Sequence, residues 1–490
     1  MYSKLFFLFL FFGLSAVRAQ QKPNIIYIYA DDLGYGELGC YGQQKIRTPN
    51  LDKLASEGMK FTQHYTGAPV CAPARAMLMT GRHSGHSYIR GNYELGQFED
   101  ANEGGQMPLY EGAFTIARLM KQAGYITGAI GKWGLGMWYS TGDPNKQGFD
   151  YFYGYLDQKQ AHNLYPTHLW ENGKWDTLRN RPYSGHARIA EDSPDSVFDS
   201  FRGKDYALTM MGDKTLEFLK KNKDKPFFLY LPYTSPHLAL QVPEEALNEY
   251  KGKFPDKPYY GEKGYTPTKY PLATYAAMIS YLDKQVGRVM AMLKELGLEK
   301  NTIVMFSSDN GPTFDVGGVD AKFFNSAGGL RGLKQDLYEG GIREPFIVKW
   351  PGKVKAGAVT DHISAQFDLM ATLADITHQK VPDTDGISFL PIMTGQKQKA
   401  HDYLYFEFPE KSGQVAIRMG NWKGVKSNLK TNSASPWEIF DLAKDPGETT
   451  DLGSKMPALA SRFDEILKKE HRCSQIREWE FVDPRFAKGK

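Results

Sequence analysis

Four apolar runs decide what this chain can fold into. Residues 24–30, 125–130, 226–232 and 302–306 are short and rich in β-branched and aromatic side chains. They do not alternate with polar residues, so each reads as a strand buried on both faces, as in a parallel sheet. Helical stretches lie between them: residues 115–123, stopped by Gly124, residues 204–222, and residues 273–296. The last carries an apolar stripe through Tyr275, Met278, Ile279, Leu282, Val286, Val289 and Leu293, which is core. Residues 346–350 add a strand and residues 367–376 a helix. The alternation predicts an α/β sheet, and the polar residues just past each strand put a site along its C-terminal edge.

Those polar residues are specific. Asp31-Asp32 follows the first run, and Ser307-Ser308-Asp309-Asn310-Gly311 follows the fourth. A bare Asp-Asp is ordinarily a solvated turn or a helix cap. Here the pair abuts a strongly apolar strand, which favours a hard cation held by oxygen ligands, and a second such cluster at a distant strand end strengthens that reading. Three carboxylates and an amide at one point would repel each other without a cation. The other two tips carry Lys132, in Gly131-Lys132-Trp133-Gly134-Leu135-Gly136, and His237, in Pro236-His237. Alone, such a Lys is ordinarily solvated and such a His ordinarily a satisfied structural residue.

Residues 69–86 stand apart. Cys71 precedes a run that reads as a helix: Pro73 suits a first turn, residues 74–80 lack Gly and Pro, and Gly81 is a C-terminal stop. A second short helix starts at residues 48–55, with Asn50 as its expected N-cap. A lone Cys is most often a buried structural residue. At a helix N-terminus it also stands where free N–H groups favour anions.

Cys71-Ala-Pro73-Ala-Arg75 resembles the Cys-x-Pro-x-Arg signature of the type I, formylglycine-dependent sulfatases, an arylsulfatase-like family of the alkaline phosphatase superfamily. The continuation Thr80-Gly81-Arg82-His83-Ser-Gly-His86 and Ile89-Arg90-Gly91-Asn92 is similar too, and the likeness extends over nearly the whole chain. It implies an alkaline-phosphatase-like mixed sheet flanked by helices, with a smaller C-terminal α+β subdomain. It implies that Cys71 is oxidised to formylglycine (3-oxoalanine) by a formylglycine-generating or sulfatase-maturating enzyme. It implies Asp31, Asp32, Asp309, Asn310 and residue 71 as ligands of calcium, ahead of magnesium. Arg75, Lys132, His237 and Lys334 fall on the family's catalytic positions: Arg75 for the nucleophile, the lysines for the sulfate, His237 for the leaving oxygen. Lys334 lies in Leu330-Arg331-Gly332-Leu-Lys334, near the glycine-rich Tyr338-Glu339-Gly340-Gly341. One position departs. The family has His where this chain has Gly134, so that role passes to another residue or the space serves the substrate. His162 is the first candidate and His168 the second, both as substrate-binding residues in the aromatic, polar stretch of residues 151–200. That stretch reads equally as a surface excursion or as a loop lining the pocket.

The chain has 490 residues, 60 Lys and Arg against 56 Asp and Glu, and a net charge of +4. So small an excess does not mark a nucleic-acid binder. Lys4, an apolar run over residues 5–17 and Val17-Arg18-Ala19 resemble a cleaved signal peptide over residues 1–19, which predicts a secreted or periplasmic protein without a membrane span. Residues 20–400 then form the catalytic domain. Residues 401–490 form the subdomain, with short antiparallel strands near 403–408, 415–418, 422–425 and 437–440 and a closing helix over 456–469. Beyond Cys71 only Cys40 and Cys473 remain, and their pairing stays open. The expected activity is sulfate-ester hydrolysis on a sulfated polysaccharide or oligosaccharide. The alternatives are a formylglycine-dependent phosphodiesterase or phosphonate hydrolase, and a non-catalytic glycan-binding relative.

Overall fold

A computed structural model describes residues 22–483; the expected leader lies outside them. Its central sheet is built from β1 (Asn24–Asp31), β2 (Met59–Tyr65), β3 (Ile126–Lys132), β4 (Tyr151–Tyr155), β5 (His168–Glu171), β6 (Lys174–Thr177), β7 (Phe227–Pro236), β8 (Thr302–Ser308), β9 (Arg343–Lys349), β10 (Ala358–Thr360) and β11 (Ser364–Ala365). The strands run in the order β10-β2-β9-β8-β1-β7-β3-β4-β5-β6, with β11 also on β2. The middle strands β8, β1, β7, β3 and β4 are mutually parallel. Antiparallel pairings of β9 and β2 on one side and β5 and β6 on the other make the sheet mixed.

Both faces of the parallel centre are covered, which is why its runs show no alternation. Ile26 and Ile28 of β1 pack into one core, and Ile25, Tyr27 and Tyr29 into the other. Seven helices matter here: α1 (Pro49–Ser56), α2 (Cys71–Thr80), α3 (Ile116–Gln122), α4 (Ala207–Asn222), α5 (Pro271–Glu295), α6 (Asp368–Thr377) and α7 (Pro457–Glu470). α1, α4 and α5 cover the first face; α2, α3 and α6 cover the second. The α5 stripe is buried throughout, as its periodicity predicts. Four antiparallel strands, β12 (Leu404–Phe408), β13 (Gln414–Met419), β14 (Trp422–Lys426) and β15 (Glu438–Asp441), form a separate sheet, closed by α7. Among the described residues, no helix is long and apolar enough to cross a membrane.

Three expectations need correction. Asn50 does not cap α1: Thr48 occupies the cap position without a side-chain bond, and the Asn50 amide instead donates to Asp283 Oδ2 at 2.7 Å. Residues 151–177 are no irregular excursion, because β4, β5 and β6 extend the central sheet to its edge. Finally, β2 was not foreseen. Its half-polar sequence, Met-Lys-Phe-Thr-Gln-His-Tyr, lacks the apolar density of the centre, and its pairing with β9 slips between Phe61 and His64.

Candidate active site

Because β1, β3, β7 and β8 are parallel, their C-terminal ends share one edge, and each delivers a functional side chain there. Ala30 pairs with Ser308 and Asp31 with Pro236, so Asp31-Asp32, Asp309-Asn310 and His237 meet. Lys132 is the last residue of β3. Two segments outside the sheet complete the group. α2 begins at Cys71, and the chain after β8 brings Lys334. All these side chains are buried.

The contacts are short. Lys132 Nζ donates to Asp31 Oδ2 at 2.8 Å, and Lys334 Nζ to Asp32 Oδ2 at 2.8 Å. Arg75 NH2 donates to Asp309 Oδ2 at 2.8 Å and lies 3.3 Å from Asp31 Oδ2, while NH1 holds the Lys132 carbonyl at 2.7 Å. Cys71 Sγ lies 3.3 Å from Asp31 Oδ1 and 3.6 Å from Lys334 Nζ. His237 Nε2 faces Asp32 Oδ2 at 3.8 Å. Ligand atoms of Asp31, Asp32, Cys71 and His237 all lie within 4.8 Å of one another.

Three carboxylates therefore face Arg75, Lys132 and Lys334. The expected mutual repulsion is met by side chains before any ion is considered. The balance is uneven. Burial opposes the charge of Asp31, but Lys132, His237, Arg75 and Lys334 hold its pKa well below the usual range. Burial, then the charge of Asp31, pushes Asp309 up to about 7. A divalent cation would reverse that shift. The residues fit one: the donors are oxygens, Asn310 Oδ1 is buried with no hydrogen-bond partner, and Asp32 is held at φ +64, a costly conformation for a non-glycine residue. Burial, then Asp31, pushes the Cys71 thiol up, so at neutral pH it is not a thiolate.

The N-terminus of α2 is secured by a residue that sequence left without a role: the Ala72 N–H donates to Asn92 Oδ1 at 3.2 Å. At Gly134, φ is +70, and a Cβ would lie 2.7 Å from Gln158 Cγ. Gln158 thus closes the space where a side chain at 134 would stand. Nothing local in the sequence signals this, because the two residues meet only through the pairing of β3 with β4.

His162 stacks on His237, with ring centroids 5.4 Å apart at 19°, and borders a cavity of about 510 Å³ with Lys159, Tyr183 and His186. Its tautomer follows from a backbone group. Tyr265 N–H can only donate, and it donates to His186 Nδ1 at 3.2 Å. His186 therefore carries its proton on Nε2, which donates to His162 Nδ1 at 3.1 Å. That leaves the His162 proton on Nε2. Burial, with the charge of Lys132 added to it, keeps His162 neutral. His168 lies in a different group. It is buried, its Nε2 is 2.7 Å from Glu103 Oε1, and its ring stacks on Trp175.

Comparison with known proteins agrees with this geometry. A model of the sulfatase family matches residues 23–379, and one described as N-sulphoglucosamine sulphohydrolase, C-terminal, matches residues 333–472. Human arylsulfatase A is 32% identical, over 93% of this chain and 87% of its own. An N-acetylgalactosamine-6-O-sulfatase of Bacteroides thetaiotaomicron is 29% identical, over 91% and 93%. Among solved structures, Ps i-CgsB in complex with k-i-k-neocarrahexaose superposes with a TM-score of 0.74 at 28% identity, covering 94% of each chain. The chain belongs to the sulfatase family: it is a sulfuric ester hydrolase built on the alkaline-phosphatase-like fold.

Proposed function

We propose that this enzyme removes sulfate from a sulfated glycan, using a formylglycine made from Cys71. The observation that carries this is the place of residue 71: it is buried at the start of α2, with Sγ 3.3 Å from Asp31 Oδ1 and 3.6 Å from Lys334 Nζ, in the group that also holds Arg75 and Lys132. Converted, it would supply a hydrated aldehyde, one hydroxyl bonding to sulfur and the other allowing the aldehyde to re-form as sulfate leaves. A divalent cation held by Asp31, Asp32, Asp309 and Asn310, calcium first on the all-oxygen donor set, would polarise the sulfate.

The other roles belong to the chain. Arg75, one helical turn past residue 71 and bonded to Asp309, would hold the nucleophile. Lys132 and Lys334 neutralise sulfate oxygens as the S–O bond breaks. His237 Nδ1 donates to the Leu238 carbonyl at 2.6 Å, so its Nε2 is a lone pair at rest. As the negative charge of the sulfate binds beside it, it takes a proton from bulk solvent, and it then passes that proton to the leaving oxygen. His162 Nε2–H is a neutral donor beside that ring and serves a substrate oxygen. A donor cannot serve as the base that the Gly134 position lacks.

The glycan reading rests on the relatives, whose names specify N-acetylgalactosamine 6-sulfate and a carrageenan oligosaccharide, and on the cavity beside His162. Galacto-configured sulfated oligosaccharides are therefore the first substrates to screen, with phosphate diesters in parallel. Export of the protein, and its maturation by a formylglycine-generating enzyme, belong to the same proposal and are supported by residues 1–19 and the Cys71 motif. The test is a screen with product mapping, joined to mass spectrometry of the residue-71 peptide. Sulfate release with an aldehyde at 71 is expected; full activity with an unmodified thiol refutes the mechanism. His162→Ala should lower kcat/KM on the glycan about tenfold, the scale of one lost hydrogen bond to substrate, and wild-type kinetics would remove His162 from the site.

A further inference from the structure

At the far edge of the sheet, three aromatic side chains stand in solvent together. Trp138 is 45% exposed, Tyr139 59% and Trp175 48%. They form one patch: Tyr139 meets Trp138 edge-on at 5.6 Å, and Trp138 and Trp175 both abut Trp170, at 6.4 and 6.0 Å. The rings are held from behind. Trp175 stacks on buried His168 at 4.0 Å, Trp138 tilts over Trp170 at 6.4 Å, and Glu103 accepts from Trp170 Nε1 at 3.0 Å and pairs with His168. His168 is thus a support for Trp175.

The surround is cationic. Lys146 is exposed, and among the described residues neither it nor Arg118 makes an ion pair: Lys146 Nζ bonds the Ser140 carbonyl and Arg118 NH2 the Lys146 carbonyl. Lys174, opposite Glu171 in the β5–β6 pairing, stands on the other face of the sheet, with Glu171 and Asp176. The acid that acts on Lys146 is Asp143, half-buried, whose Oδ1 accepts from the Asn145 N–H. Aromatic patches of this kind mark binding sites. A protein partner's interface core would be depleted of lysine, whereas flat rings ringed by unpaired cations suit a chain of sugar rings bearing sulfates.

We propose that Trp138, Tyr139 and Trp175, with Lys146 and Arg118, form a second binding site for a sulfated polysaccharide, which holds the polymer while the catalytic centre acts on it. The site rests on the glycan reading above for its ligand, but its test is separate. Electrophoresis in native gels containing ι-carrageenan or chondroitin 6-sulfate should retard the wild-type enzyme. Trp138→Ala/Trp175→Ala should weaken the apparent affinity about tenfold, the scale of losing an aromatic anchor, and raise KM on the polymer. Turnover of a short sulfated oligosaccharide should be unchanged. Lys146→Ala/Arg118→Ala should weaken retardation and flatten its salt dependence. Tyr139→Ala, whose ring is the most exposed of the three, serves if the tryptophan variant fails to fold.

Wild-type migration unaffected by either polymer overturns the proposal, as does retardation unchanged in these variants. Loss of retardation that tracks loss of a dimer in sedimentation would make a second copy the occupant and overturns it too. Failure to desulfate any glycan would defeat the catalytic reading instead, and the gels would still report on the patch.

Discussion

Lys423 and Lys132 are both buried lysines beside carboxylates, in networks at different places of the fold. Lys423, on β14, lies 3.0 Å from Glu339 Oε1 and 3.0 Å from Glu448 Oε1. Glu339 also accepts from Tyr65 at 2.8 Å, and its own N–H donates to Glu448 Oε2 at 2.7 Å. This group ties the small sheet to the segment before β9. Unpartnered atoms and strain occur in both: Glu448 Oε1 has no hydrogen-bond partner and Glu448 stands at φ +51, just as Arg75 Nε and Asn310 Oδ1 have none and Asp32 stands at φ +64. What separates the two is place. The Lys423 group joins two sheets, whereas the Lys132 group stands at the strand ends beside Cys71 and His237.

The comparison can be broken by mutation. Cys71→Ala should lower turnover about a thousandfold or more, with a melting temperature equal to or above wild type, since functional sites trade stability for activity. Retained turnover would remove residue 71 from the chemistry. Lys423→Ala should do the reverse. Stripping a cation from a buried pair costs about 3–5 kcal/mol, read as a loss in urea unfolding, while the folded fraction keeps its kcat. A Lys423→Ala enzyme as stable as wild type would deny the seam its role.

Chelation sharpens the contrast. Activity should vanish and return with calcium. Because Arg75, Lys132 and Lys334 already face the three carboxylates, the melting temperature should fall by less than about 4 °C, roughly the shift from 1 kcal/mol in a large domain. A much larger fall would mean that the ion, and not these side chains, holds the edge together.

The smallest effect is one of pH and belongs to the C-terminal side. Burial opposes the charge of His471, but Glu407 at 2.7 Å and Glu480 at 3.2 Å raise its pKa to about 9. The contact with Glu480 is a charge pair without a directed hydrogen bond. A raised histidine pKa stabilises the fold fully below its unfolded value, about 6.5, and loses that contribution as pH climbs through about 9. Stability should therefore decline from pH 6.5 to 9, and His471→Gln should flatten the decline. An unchanged slope would place the titrating group elsewhere.

The strands of the parallel centre were legible because burial on both faces leaves an apolar run with no other reading, and β1, β3, β7 and β8 lie where those runs are. The short strands expected near 403–408, 415–418, 422–425 and 437–440 and the closing helix over 456–469 fall where β12–β15 and α7 lie. β2 was not, because a strand paired off-centre needs no such composition. Asn50 looked like a cap and proved to be a tether to Asp283, since a cap is a matter of backbone geometry and not of residue type alone.

By itself, the sequence determined which side chains stand at the strand ends, because local hydrophobicity ends each strand and the next residues are Asp31, Lys132, His237 and Asp309. It also determined that Cys71 opens a helix. Only tertiary structure decided that three cations would balance three carboxylates, that Gln158 would fill the space above Gly134, and that His162, not His168, would stack on His237. Those outcomes depend on strand order and register, which bring together residues far apart in the chain, and no local pattern encodes them.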